Sequence, residues 1–177
     1  PWPEPHEIYP LSCKAWQTWS SRAITDEALG FLERHLAADG SDRAKPFYLN
    51  VWFKDVHTTL RPTEEMRKPF RHLPEKPQIH YAMVKYMDEQ IGRTLDALDA
   101  YGVRDNTIVI FSSDNGGIVA NGASNGPLRG GKHTLYEGGI RVPLIVRWPN
   151  GGVPAGRVDE TSVLNICDFV PTFAKLT

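Results

Sequence analysis

The chain has 177 residues, 41% of them hydrophobic and 23% charged, with a formal net charge of −1. That is enough chain for one domain with a real core. A charge balance this even gives no general attraction for nucleic acid or an anionic membrane.

No apolar run approaches the roughly 18–20 residues of a bilayer span. The opening PWPEPHEIYP has neither the basic start nor the apolar core of a signal peptide. Cys13 and Cys167 form neither a zinc spacing nor a disulfide framework, and the apolar surroundings of Cys167 predict a small buried residue. Pro1 to Ser21, rich in Pro and Trp and without a period, reads as irregular. ITDEALGFLERHLA, Ile24 to Ala37, reads as a helix capped by Thr25. Asp26 and Glu27 suit the positive end of its dipole, and Ile24 can staple onto Leu29. PFYLNVWF, Pro46 to Phe53, reads as a buried strand. The stretch after it is a Pro-rich loop in which Pro62, Pro69, Pro74 and Pro77 break any helix.

From Ile79 to Tyr101, apolar Val84, Met87, Ile91, Leu95 and Leu98 recur at three- and four-residue steps, and Gly102 closes the helix. NTIVIFSS is a second strand, and Asp114 to Gly139 is a long loop dense in Gly and Asn. RVPLIVRW, Arg141 to Trp148, is a third strand, and a last helix starts near Asn165–Asp168. Helices alternating with short, nearly all-apolar strands predict an α/β fold, a mostly parallel sheet sandwiched by helices. Ligands in such folds bind beyond the carboxyl ends of the strands. KDVHTTL and SDNGG both have that address.

Asp114-Asn115-Gly116 is open to two readings. Asp, Asn and Gly are turn formers, but a carboxylate beside an amide oxygen is also part of a Ca²⁺ or Mg²⁺ shell. His57 follows a strand, on a loop of the kind that carries general acids and bases; an idle exposed histidine is the plainer alternative. His35, His72 and His80 read as surface residues. Gly126 to Lys132 fits G-x-x-x-x-G-K, yet His133 stands where a Ser or Thr should reach Mg²⁺. No strand directly precedes that segment and Gly138-Gly139 would interrupt a following helix, so a nucleotide-binding P-loop fails on context. Lys132 still suits an anionic ester as a point charge, with Arg129 as a helper. No Ser or Thr lies in a nucleophile elbow.

Taken in order, KPFYLNVWFKDVHTTL, MVKYMDEQIGRTLDALDAYGVRDNTIVIFSSDNGG and LRGGKHTLYEGGIRVPLIVRWP resemble the type I sulfatases of the alkaline phosphatase superfamily. The resemblance runs from about Thr25 to the C-terminus. It implies an alkaline phosphatase-like catalytic domain that hydrolyses sulfuric esters. By it, Asp114 and Asn115 ligate a divalent cation, usually Ca²⁺, with Mg²⁺ as the alternative. Lys132 contacts the sulfate and the ester oxygen, and His57 assists the leaving group. Tyr136, Glu137, Gly138 and Gly139 shape the loop.

The departures are specific. Val56 and Thr59 stand where the family's Pro-His-x-Pro has its prolines, and the C/S-x-P-x-R sequence that yields a formylglycine nucleophile does not occur. The early Asp-Asp ligand pair and the Lys-x-His pair are missing as well. All belong to the family's N-terminal half. Residues 1–177 are therefore expected to be a partial catalytic domain, without the nucleophile-bearing part and without the C-terminal subdomain. The formylglycine is expected in the parent. The implied substrate is a sulfated small molecule or sulfated carbohydrate, and the implied location is exported. A phosphate or phosphonate ester hydrolase and a noncatalytic binding relative remain alternative readings.

Overall fold

A computed structural model of the chain describes residues 20–36 and 45–176. Its helices are α1 (Ser20–Leu36), α2 (Glu64–Arg67), α3 (Glu75–Ala100), α4 (Glu137–Ile140) and α5 (Phe169–Leu176); its strands are β1 (Val109–Ser112) and β2 (Leu144–Arg147). Short 3₁₀ turns lie at Lys68–Phe70, Arg104–Asn106, Val119–Asn121 and Ile166–Asp168. Cys13 and the rest of the irregular N-terminal segment lie outside the described residues.

The core forms where α1 meets α3. Ser21, Thr25, Ala28, Leu32 and Leu36 recur at helical steps and are all buried on α1. Small residues at the start of that stripe let the helices approach, and Leu32 and Leu36 then pack with Leu98 of α3. Phe31, Phe47, Leu49, Leu95, Tyr101, Val103 and Val109 close around them. Each leucine buried this way stabilises by roughly 1.5–3 kcal/mol. Arg93 of α3 adds a polar clasp, donating to Asp26 at 2.7 Å and to Gln90 at 2.8 Å. The Arg93–Asp26 pair is 40% and 39% exposed, so it contributes at most about 1 kcal/mol.

Both long helices begin earlier than local signals predict. α1 is already helical at Ser20, and Thr25 is buried within it rather than capping it. The capping group comes from far along the chain. Asp55 accepts from the Ser20 hydroxyl at 2.7 Å and from the Ser21 amide at 2.8 Å. α3 begins at Glu75, which leaves Pro74 at the cap and Pro77 inside the first turn. Neither proline breaks the helix, because the first-turn amides have no intrahelical acceptor to lose. Thr63 caps α2 within the supposed Pro-rich loop, accepting from the Met66 amide at 3.3 Å. The other end of α3 follows the sequence: Gly102 has φ 68°, with Val103 donating to Leu98 O and Gly102 to Asp99 O, both at 3.0 Å.

The strands differ more. Among the described residues the sheet has two strands, and they run antiparallel, with Val109 opposite Arg147 and Ser112 opposite Leu144. The expected mostly parallel sheet is not seen in this part of the molecule. Apolar runs report burial, not direction, and β1 returns to β2 through a loop rather than a crossover helix. The segment 46–53 forms no regular element and pairs with no strand among the described residues. Phe47, Leu49, Val51 and Phe53 are half-buried, while Tyr48 and Trp52 are 73% and 77% exposed. It is a one-faced strap rather than a buried strand.

Two smaller expectations also change. Cys167 is exposed, on a 3₁₀ turn capped by Asn165. His80 is half-buried on α3, and its burial lowers its pKa below the usual histidine value. No helix among the described residues is long and apolar enough to cross a membrane.

Candidate functional site

The loop from Ser113 to Pro143 holds four of the five candidate residues, and backbone contacts make it a single body. On leaving β1, Gly116 donates to Gly139 O at 2.9 Å. Lys132 donates to Gly117 O at 3.3 Å, and Gly138 donates to Arg129 O at 2.8 Å. A Cβ built on Gly116 would overlap the carbonyl of Gly138, and one on Gly138 would overlap the carbonyl of Gly130. Gly116 and Gly117 have no positive φ. Their requirement is close approach, of Gly116 to the Gly138 backbone and of Gly117 to the Ala123 side chain, not the turn that the sequence suggests.

Asn125 is the hub that sequence reasoning missed. Its side-chain oxygen accepts from the Gly117 amide at 2.8 Å, and its NH₂ donates to Gly117 O at 3.0 Å and to Gly130 O at 3.1 Å. One amide thus ties the strand exit to the glycine run before Lys132. The loop is also anchored outward. The Val119–Asn121 turn packs on α3, where a Cβ on Gly122 would strike Lys76 and Pro77. At the far end, the Ser112 hydroxyl donates to Pro143 O at 2.9 Å.

Asp114 is exposed and Asn115 partly exposed. Among the described residues neither side chain is taken up by a hydrogen bond or an ion pair; Asn115 offers only its backbone oxygen, to Ser113 Oγ at 2.9 Å. Lys132 is half-buried and its ammonium has no ion-pair partner among the described residues. It sits in a turn closed twice, by Thr134 N donating to Gly131 O at 3.1 Å and Thr134 Oγ1 donating to the same oxygen at 2.7 Å. Gly131 N in turn donates to Thr134 Oγ1 at 3.2 Å. The residue after Lys132, His133, has φ 73°. That left-handed position usually goes to glycine, and a side chain there costs on the order of 1–2 kcal/mol.

Arg129 is engaged. Its guanidinium lies 3.8 Å from the centroid of the Tyr136 ring and donates Nη2 to the Tyr136 hydroxyl at 2.7 Å. Tyr136 then leads into α4. A strand does not feed Gly126–Lys132 directly and only the four-residue α4 follows, so the P-loop reading fails in structure as in sequence.

His57 stands apart. It is exposed, its amide donates to Lys54 O at 2.9 Å, and its ring Nδ1 lies 2.9 Å from Thr58 O. A carbonyl only accepts, so Nδ1 carries the proton and Nε2 is left for other partners. No hydrogen bond or ion pair among the described residues joins His57 to the glycine loop. Its own loop is fixed by Asp55, two residues earlier, through the α1 cap. Lys132 N ties the lysine's backbone to Gly117, on the strand exit that also carries Asp114, and no such link runs to His57 among the described residues.

Comparison with known proteins identifies the family. The model of the family described as Sulfatase matches residues 3–177. A Formosa agariphila protein described as a sulfatase is 35% identical over 167 residues, 87% of this chain and 29% of that protein. The N-acetylgalactosamine-6-sulfatase of Canis lupus familiaris is 36% identical over 175 residues, 97% of this chain and 31% of the relative. The steryl-sulfatase of Mus musculus is 37% identical over 164 residues, 88% and 24% respectively. Among solved structures, Ps i-CgsB in complex with k-i-k-neocarrahexaose superposes with a TM-score of 0.79 at 33% identity. That superposition covers 88% of this chain and 33% of the other. The chain spans 24–31% of the length of these three curated relatives. Matched by that family model along nearly its whole length, and built around the glycine loop just described, the chain belongs to the sulfatase family.

Proposed function

We propose that the protein hydrolyses sulfate esters of carbohydrates, and that this chain is the part of the catalytic domain that grips the sulfate. The observation that carries the reading is the pin between Lys132 N and Gly117 O. It ties an ammonium with no ion-pair partner among the described residues to the backbone three residues past Asp114, a carboxylate equally without one.

Asp114 and Asn115 fit a hard cation: both offer oxygen, and neither side chain is otherwise occupied among the described residues. Ca²⁺ takes about six to eight oxygen ligands. No group of three His, Cys, Asp or Glu converges among the described residues, so this chain is assigned two ligands of a larger shell. A bound cation supplies charge neutralisation at the sulfuryl oxygens.

The chain's own residues do the rest of their share as follows. Lys132 offsets negative charge on the sulfuryl and ester oxygens from a half-buried position, where a fixed charge acts more strongly than in water. Arg129 adds positive potential at the same loop and, through Tyr136, holds its shape. As the sulfur–oxygen bond to the alcohol breaks, its electron pair goes to the alcohol oxygen, and protonated Nε2 of His57 gives that oxygen a proton. The bond from Nδ1 to Thr58 O sets the ring for this role. The attacking oxygen is assigned outside these 177 residues, since C/S-x-P-x-R does not occur in them. The carbohydrate class is supported by the relatives' descriptions, an N-acetylgalactosamine-6-sulfatase and a complex with neocarrahexaose.

Lys132→Ala in the full-length protein tests the reading. Turnover of a sulfated disaccharide is expected to fall about 10²–10³-fold, the range for losing one preorganised charge-stabilising donor. Turnover within threefold of the parent would sink the role given to Lys132. Faster turnover of a matched phosphate ester would replace sulfate with phosphate as the group that is gripped.

A further inference from the structure

Among the described residues the backbone takes a positive φ at Gly102, Gly122, Gly126, Gly130, Gly152 and Gly156, and at only one residue that is not glycine. That residue is His133, at φ 73°, directly after Lys132. Glycine adopts this conformation freely, whereas a side chain meets its own carbonyl there. The turn is closed twice by Thr134, and His133 holds the left-handed position within it. The imidazole contributes nothing visible in return. It is exposed, and among the described residues it makes no hydrogen bond or ion pair, unlike Asn125, Arg129 and Thr134 in the same loop. Backbone strain beside a functional group, without structural work from the side chain, points to a role outside the fold.

Position says what that role is. Lys132 and His133 are the two central residues of one tight turn, with Cα atoms about 3.8 Å apart. Whatever Lys132 holds has His133 as its neighbour. A sulfate is small and is already served by the lysine, so the next residue meets what the sulfate is attached to. A neutral imidazole offers one donor and one acceptor nitrogen, which suits the paired hydroxyls of a sugar ring. We propose that His133 is a specificity-determining residue that hydrogen-bonds the carbohydrate moiety of the ester whose sulfate Lys132 grips. This rests on the reading of Lys132 as the sulfate-binding lysine.

The test uses the full-length protein with two substrates, a sulfated disaccharide and 4-nitrophenyl sulfate, whose leaving group has no hydroxyl beyond the reacting oxygen. His133→Gly relieves the backbone, and His133→Asn keeps a residue that tolerates the left-handed region while removing the imidazole. Both variants are expected to lower the ratio of kcat/KM for disaccharide over aryl ester at least tenfold, mainly through KM. His133→Gly should also raise the thermal midpoint. A raised midpoint with that ratio moved less than threefold would overturn the proposal, leaving His133 an incidental strain. Lys132→Ala is run beside them to separate the failures. If it leaves turnover of both substrates intact, the sulfate-grip reading fails and takes this one with it; if it removes turnover while the His133 ratio stays put, only the specificity role fails.

Discussion

Replacing Asn125 by Asp tests whether the site loop is held as described. The side chain makes three hydrogen bonds, at 2.8, 3.0 and 3.1 Å, all within the loop. At about 0.5–1.5 kcal/mol for each neutral bond, Asn125→Ala should cost roughly 2–4 kcal/mol of loop stability. Asp is the sharper probe. It keeps the acceptor for the Gly117 amide but replaces the NH₂, which serves Gly117 O and Gly130 O, with an oxygen facing two carbonyls. It should therefore be at least as damaging as Ala, although the two residues are equally good at an ordinary exposed turn. Hydrogen exchange at the Gly117 and Lys132 amides reads the local opening directly. Faster exchange by about 30- to 700-fold corresponds to that energy range, at about 1.4 kcal/mol for each factor of ten. Protection in Asn125→Asp within threefold of the parent would refute the hub role.

Two further outcomes follow from groups outside the loop. Asp55 is 7% exposed and bonds both the Ser20 hydroxyl and the Ser21 amide, so Asp55→Ala leaves two buried donors without an acceptor. Hydrogen bonds to a charged acceptor contribute about 1.5–3 kcal/mol each, and denaturant unfolding should show a loss of roughly 3–5 kcal/mol, with Asp55→Asn near half of that; a loss below about 1 kcal/mol for Ala would contradict the long-range cap. Burial lowers the pKa of His80 in the folded state below its usual 6.5. The unfolded chain then binds the proton more readily, so the stability linked to this group is fully present above that ordinary value and is lost as pH falls through the lower folded value. His80→Gln should flatten that part of the pH profile in unfolding midpoints taken between pH 8 and pH 5; an unchanged pH dependence would show that His80 contributes none of it.

Local signals carried the elements that local physics builds. The period of Val84, Met87, Ile91, Leu95 and Leu98 gives α3, and Gly102 ends it because a Schellman closure needs a left-handed residue at that point. What the sequence could not show is long-range. No pattern near Thr25 says that α1 is capped by Asp55, which lies 34 residues beyond Ser21. The composition of Pro46–Phe53 suits a strand, but whether it pairs, and in which direction, depends on neighbours that a one-dimensional pattern does not name. The same holds within the site. Lys132, Asp114 and Asn115 stand out in the sequence as candidates through their motif, whereas Asn125 carries no chemistry of its own and looks like one more turn asparagine. Its role exists only once Gly117 and Gly130 have been brought to it.

Glycine density in such a loop is easily read as freedom, and here the physics runs the other way. Gly116, Gly131, Gly138 and Gly139 are buried, and a Cβ on any of them would meet backbone atoms of another turn of the same loop. Removing four side chains lets three passes of backbone lie against one another and bond directly, through Gly116 to Gly139, Lys132 to Gly117 and Gly138 to Arg129. A connection running from Ser113 to Pro143 would ordinarily be long enough to move. Knit together at the backbone and anchored on α3, it can hold a lysine in place with no ion pair to the ammonium among the described residues. The sulfate-gripping role proposed for Lys132 needs that arrangement. A salt-bridge partner would fix the side chain but would also neutralise the charge that has to meet the substrate, so the orienting contacts are better made by the backbone beneath it.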